Sequence, residues 1–282
     1  MKLQEMRRIL AANQLRLTKS LGQNFLHDQN RIRKIAKAAE IKADDRILEV
    51  GPGLGALTQL LLESGGKVLA IEKDRRLCDL LTERYRDVPS LNLVQADAVQ
   101  YLRGQSRDWS GWKLVSNLPY SVASPILIEL SQASGCPERL VATLQLEVAR
   151  RLMASAGDED YGVLTLLVQL RYEPKGWFRI PASCFFPVPR VDSACVTLAK
   201  RREILLTTGE TDVFERIVKR GFSQRRKIML KLLKEDWDES RLLWAYSRAG
   251  LGLEIRAEKV HLGQYVQLAR LLRENTKAHH EG

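Results

Sequence analysis

This 282-residue chain is poor in the residues that build metal and redox sites, with four histidines and four cysteines. Cys78, Cys136, Cys184 and Cys195 are scattered, with no C-x-x-C and no histidine at ligand spacing. That excludes a zinc ribbon or a catalytic dithiol and reads as reduced packing residues of a cytosolic-type protein. His279 and His280 stand near the end without supporting ligands, so no metal is expected. No apolar run approaches the roughly 20 residues that cross a bilayer, and no secretory signal is visible. A cytoplasmic location without membrane attachment is expected. Acidic residues are also short: 34 Asp and Glu face 45 Lys and Arg, a net charge of +11. Such an excess suits a polyanionic partner, or simply a basic enzyme; charge alone does not separate the two.

What is present organises itself around Ile47-Leu48-Glu49-Val50-Gly51-Pro52-Gly53-Leu54-Gly55. An apolar run enters three glycines at alternate positions and then a helical pattern. Glycines there let the backbone turn and approach a ligand with no Cβ in the way. The spacing is G-x-G-x-G, which a Rossmann-like βαβ unit accommodates, and it differs from the dinucleotide fingerprint. No G-K-[ST] follows, which argues against a nucleoside triphosphate. The next run, Lys67–Ile71, ends at Glu72, 21 residues after Gly51 and placed to accept from ribose hydroxyls. A third, Leu91–Ala96, ends at Asp97, and a fourth, Trp112–Ser116, at Asn117. Each acid singly reads more readily as a solvated terminus or helix N-cap than as a ligand. In series they suggest a nucleoside-bearing cofactor lying across the carboxyl ends of a parallel sheet.

Asn117-Leu118-Pro119-Tyr120 bears on the chemistry. A nucleobase amine is a poor nucleophile because its lone pair is delocalised into the ring. Two acceptors set against its N–H groups, the Asn117 side-chain oxygen and a carbonyl beside Pro119, would rotate and aim that lone pair. Tyr120 would stack on the extruded base. The alternative is a helix-initiating turn with a core tyrosine.

The glycine loop, Leu21-Gly22-Gln23-Asn24-Phe25-Leu26 and Ser116-Asn117-Leu118-Pro119-Tyr120 together closely resemble the ribosomal RNA adenine dimethyltransferase family. Gln145–Ala149, Phe185–Ser193 and Phe222–Lys227 extend the likeness from about Thr18 to Gln267. The Asn-Leu-Pro-Tyr form resembles the small-subunit branch; Leu146 departs from it, where that branch often has lysine. The resemblance implies S-adenosylmethionine as cofactor, held by Asn24, Leu26, Gly51, Gly53, Glu72, Asp97 and Asn117. It implies N6-dimethylation of two adjacent adenines near the 3′ end of small-subunit ribosomal RNA, in an immature small subunit. Asn117, Leu118, Pro119 and Tyr120 would then be catalytic, with Phe185 as second stacking face and Phe186 in the core. A monomer is expected.

The rest of the chain fits around this. Between Met1 and Glu40 nine basic residues face three acidic ones, and Met1–Thr18 reads as a basic amphipathic helix, an RNA-facing arm or a plain solvated helix. Tyr161–Tyr172 reads as amphipathic. Lys175–Ile180 and Ala194–Ala199 read as late strands that complete seven. Beyond Arg202 the pattern is helical. The expected fold is therefore α/β, a Rossmann-like seven-stranded S-adenosylmethionine-dependent methyltransferase fold with a small C-terminal α-helical domain. The expected divisions are an arm at 1–20, the methyltransferase domain at 21–202, a helical RNA-contacting domain at 203–275 and a disordered tail at 276–282. Arg225, Arg226 and Lys227, with Arg150 and Arg151, are the expected phosphate contacts, against the alternative of solvated helix faces. Three other functions remain open: a large-subunit RNA methylase, a non-catalytic assembly factor, and a dinucleotide dehydrogenase, the last disfavoured by the glycine spacing.

Overall fold

The computed structural model describes residues 1–15, 23–104, 107–224 and 226–273. The expected disordered tail and Arg225 fall outside that range. After β1 (Phe25–Leu26) come four strands, β2 (Arg46–Val50), β3 (Lys67–Glu72), β4 (Leu91–Gln95) and β5 (Trp112–Asn117). β2, β3 and β5 are buried almost end to end, as parallel strands covered on both faces require. β6 (Arg139–Gln145), β7 (Tyr172–Ile180) and β9 (Ser193–Lys200) complete a sheet ordered β4-β3-β2-β5-β6-β9-β7. The five strands from β4 to β6 are parallel, and β9 runs antiparallel to both neighbours. Strand order reverses between β2 and β5, the place where open α/β sheets leave a crevice for ligand.

Helices cover the parallel part: α2 (Gln29–Ala38), α3 (Ala56–Glu63), α4 (Arg75–Arg84), α5 (Ala98–Gly104) and α6 (Ala123–Gln132). Asp28 and Asp74 cap α2 and α4 by accepting from the Arg31 and Arg76 N–H groups. The apolar pattern of Ala98–Gly104 does not by itself announce α5. Its signal was the N-cap: Asp97 accepts from Val99 N–H (3.0 Å) and Gln100 N–H (3.2 Å).

β1 has one partner, the short strand β8 (Phe185–Phe186), with Leu26 opposite Phe185 and Phe25 opposite Phe186. The sequence showed only a turn and a stiff loop at these places. The pairing fastens the segment before α2 to the proline-rich loop, and His27 N–H donates to Cys184 C=O at 2.9 Å to extend it. Residues adjacent on a strand face opposite ways. Phe185 therefore turns into the core with Leu26, Ile32 and Val115, and is 1% exposed. Phe186 faces the other way, half-buried against the apolar cluster of Met6, Leu10, Phe25 and Leu54, with the Arg7 guanidinium 5.2 Å over its ring. Phe185, expected as an open stacking face, is thus core, while Phe186 packs at the edge of a second apolar cluster.

α1 (Leu3–Ala12) also differs from a free-standing arm. Its Met6 and Leu10 are buried against Phe25, Leu54 and Leu77, while Lys2, Arg7 and Arg8 stay exposed. It belongs to the first of two compact units, residues 1–150 with 172–200.

The second unit takes 151–171 together with the chain from Arg201 on. Residues 151–171 fall in this unit, whereas the expected methyltransferase domain ran unbroken from 21 to 202. Tyr161 explains the change: its hydroxyl donates to Val260 C=O (3.0 Å) and its ring meets Phe222 edge-on. This unit holds α8 (Val163–Gln169), α9 (Thr208–Gly221), α10 (Met229–Leu233), α11 (Glu239–Arg248) and α12 (Leu262–Leu272). Phe214, Phe222 and Tyr265 form its aromatic centre, with Tyr265 OH donating to Ala257 C=O. α7 (Leu146–Met153) runs through the point where the first unit gives way to the second.

Candidate active site

The carboxyl tips of β2 and β5 are tied together beneath the loops that follow them. Ser116 Oγ donates to Val50 C=O at 2.6 Å, joining the two strand ends beneath the loops. Gly51 and Gly53 sit at φ +69° and +60°, in the left-handed region where a Cβ is strained. A Cβ on Gly51 would stand 3.1 Å from Pro119, and one on Gly53 2.8 Å from the Phe25 ring. Glycine is needed at both by conformation and by space.

A cleft opens over these tips, lined among others by Asn24, Gly51, Gly53, Glu72, Asp97 and the Asn117–Tyr120 motif. Nine of the predicted site residues are thereby brought together, Leu118 and Pro119 included. Leu26 lies on a smaller neighbouring cavity beneath the glycine loop, and Phe185 is on the wall of neither.

Glu72 is almost wholly buried and its carboxylate is anchored by three backbone donors: Lys73 N–H and Asp74 N–H to Oε1, Gly53 N–H to Oε2. Burial pushes its pKa up, and those hydrogen bonds hold it down. A carboxylate offers about four acceptor sites, so one oxygen can still receive a hydroxyl from the cleft. Asp97 does two jobs. Oδ1 caps α5, and Oδ2 pairs with Lys73 Nζ at 2.9 Å, which lowers its pKa.

Asn117 is the decisive side chain. Its Nδ2 donates to Asn24 C=O at 3.0 Å, which fixes the amide's orientation. Its Oδ1 is buried and has no hydrogen-bond partner. An orphaned buried acceptor is costly, about 1–3 kcal/mol, unless a ligand supplies the donor. Beside it Pro119 C=O is already taken by Val122 N–H (3.1 Å), while Leu118 N–H is tied to Thr143 C=O (3.0 Å). Tyr120 is half-buried, its hydroxyl hydrogen-bonded to Ser193 Oγ at 2.6 Å and kept neutral by burial.

The sequence reading missed Glu49. It lies on β2 two residues before Gly51, 2% exposed, on the same small cavity as Asn117, and its Oε2 has no partner. Thr58 lies near enough to lower the pKa slightly, yet its Oγ1 makes no well-formed hydrogen bond. Desolvation, aided by the neighbouring Glu72 charge, pushes the Glu49 carboxyl up to about 8. The available signal was an acid inside an apolar strand, where no charge belongs without a partner.

The model of the family described as ribosomal RNA adenine dimethylase matches residues 14–274. The chain belongs to that family. A Pelotomaculum thermopropionicum relative named ribosomal RNA small subunit methyltransferase A is 38% identical, over 93% of this chain and 94% of its own. Two crystal structures share the architecture. A dimethyladenosine transferase from Plasmodium falciparum has a TM-score of 0.71 at 25% identity, covering 86% of this chain and 95% of its own. The 23S rRNA methyltransferase ErmE has a TM-score of 0.68 at 29% identity, covering 89% and 100%. As a member of the family the chain is an rRNA adenine dimethyltransferase that uses S-adenosylmethionine. The cleft fits that cofactor. Glu72 keeps an acceptor position open, the Cβ-free glycines allow close approach, and the buried Asn117 oxygen stands without a donor.

The expected phosphate contacts Arg150, Arg151, Arg226 and Lys227 are exposed, the first two on α7 and the others ahead of α10. No helix among the described residues is long and apolar enough to cross a membrane.

Proposed function

We propose that this chain dimethylates the N6 amines of two adjacent adenines near the 3′ end of small-subunit ribosomal RNA during small-subunit biogenesis. It would act as a cytoplasmic monomer. Support for the substrate comes from relatives named for the small subunit that match nearly end to end. The observation that carries the chemistry is Asn117, held by one end of its amide with the oxygen left over.

That oxygen and the Leu118 carbonyl are the two acceptors for the target amine, the Pro119 carbonyl being engaged already. Together they localise the nitrogen lone pair and aim it, a gain of positioning rather than of proton abstraction. Tyr120 offers the stacking face, its ring angle set by the bond to Ser193. Glu72 and Asp97 hold the cofactor's ribose and adenine ends, and Asn24 and Leu26 close over it. When bound, the cofactor supplies a methyl group on a positively charged sulfur, already activated for transfer. Arg150, Arg151, Arg226 and Lys227 hold RNA phosphates, with Lys2, Arg7 and Arg8 of α1 as further contacts. Phe185 is not assigned a stacking role, because its ring is buried with Leu26.

The likeness to ErmE supports a second reading, transfer to large-subunit RNA. Labelled methyl transfer to purified small- and large-subunit RNA separates the two, with incorporation into the small-subunit RNA expected. Mass mapping of that RNA from cells lacking the chain should show the two adenines unmodified.

A further inference from the structure

A second cavity, of about 430 Å³, lies at the opposite end of the same sheet. It is lined by the first residues of neighbouring strands. In the strand register Arg46 stands between Lys67 on β3 and Trp112 on β5, so three side chains sit in a row across adjacent strands. Arg107, from the connection before β5, completes the set. No acidic residue lines this cavity.

The row is held in place. The Arg46 guanidinium lies 5.4 Å and that of Arg107 5.3 Å from the Trp112 ring, and the indole of Trp109 meets Trp112 edge-on. Arg46 Nη2 donates to Ser110 C=O at 2.7 Å. Gly111, at φ +72°, leaves the room: a Cβ there would be 2.9 Å from Arg46 Nη2. Each guanidinium has five N–H donors, so most remain for a ligand. Lys67 pairs with Asp44 at 2.8 Å, but both are exposed and such a pair exchanges readily for another anion.

We propose that this row binds the sugar–phosphate backbone of RNA, at the end of the sheet remote from the cofactor cleft. Cations spread over several strands match a run of phosphates better than a single anion. Trp112 is 9% exposed and shared by two guanidiniums, so the site reads backbone and not bases. The proposal rests on RNA being the substrate and gives this chain a second point of attachment.

The test is the affinity of the full chain for a small-subunit RNA transcript, measured from 50 to 200 mM salt. Each phosphate contact contributes roughly 0.7–0.9 to the slope of log affinity against log salt. Arg46→Ala with Arg107→Ala should therefore flatten that slope by about 1.4–1.8, so that roughly tenfold less affinity is gained on lowering salt from 200 to 50 mM. Arg46→Lys with Arg107→Lys should restore much of the loss. Binding of S-adenosylhomocysteine reports that the fold is intact. Should the double variant not fold, Lys67→Glu, at an exposed position, should weaken binding in the same salt-dependent way. An unchanged slope in a folded variant overturns the proposal. So does a loss seen with intact particles but not with naked RNA, which would mean an acidic protein surface. Equal competition by inorganic phosphate would mean a simple anion site and also overturn it. Failure of the wild type to methylate small-subunit RNA would sink the proposed function, whereas the salt slope still reads this row.

Discussion

The two ends of the parallel sheet are chemical opposites. At the carboxyl tips stand acceptors, Glu49, Glu72, Asp97 and Asn117, two of them with buried oxygens that no protein group satisfies. At the amino tips stand donors: Arg46 and Arg107 braced by indoles, and exposed Lys67 paired with Asp44. The first end is expensive to keep and suits a small ligand that brings donors of its own. The second is cheap, because exposed cations over aromatic rings lose little hydration. A buried site can be selective for one molecule, whereas a screened row of charges supplies attachment without sequence reading.

The sharpest way to break this contrast is Asn117→Ala. It should lower methyl transfer by at least about a hundredfold, the usual effect of losing one aligned polar group, with RNA affinity retained in a binding assay. If turnover survives, the acceptor end has no special chemistry. Gly53→Ala comes next. Its Cβ meets the Phe25 ring at 2.8 Å and its φ is positive, so a loss of about 1–3 kcal/mol is expected in denaturant unfolding, with weaker cofactor binding by calorimetry. Tyr120→Phe should be milder, a few-fold in turnover, because the ring remains and one hydrogen bond near 1 kcal/mol is lost. Tyr120→Ala should fall well below it in the same assay.

A further effect, read in stability rather than in turnover, is the most diagnostic of burial. Glu49 in the folded chain holds its proton to about pH 8, above the ordinary carboxylate range. The folded state thus binds more protons than the unfolded one between about pH 4.5 and 8. Stability without cofactor should fall as pH rises through that window and level off above it. Glu49→Gln should flatten the slope in unfolding midpoints measured from pH 5 to 8. A wild-type chain with no such slope would mean that Glu49 is charged and partnered.

Much of the acceptor end was readable because βα units place every strand's carboxyl end on one side. Gly51, Glu72, Asp97 and Asn117 each end an apolar run, so local pattern sufficed to gather them. Glu49 escaped because its meaning depends on what surrounds it, and a strand residue's neighbours come from elsewhere in the chain. Phe185 and Phe186 escaped for a related reason. Two adjacent rings on one strand must face opposite ways, and only the pairing with Phe25 and Leu26, some 160 residues earlier, decides which ring goes in. The amino-end row was illegible too, since Arg46, Lys67, Arg107 and Trp112 share no motif and meet only through register. Residues 151–171 followed the helical unit because Tyr161 found its partners in Phe222 and Val260.

The chain's own order of apolar runs, glycines and terminal polar residues determined the sheet, the family and the ligand-facing tips. Periodicity and turn chemistry are local, and they act before folding is complete. Tertiary structure alone decided which phenylalanine is buried, which way the Asn117 amide points, and that Glu49 lies without a partner. Burial and hydrogen-bond satisfaction are properties of the assembled neighbourhood, and no stretch of sequence carries them by itself.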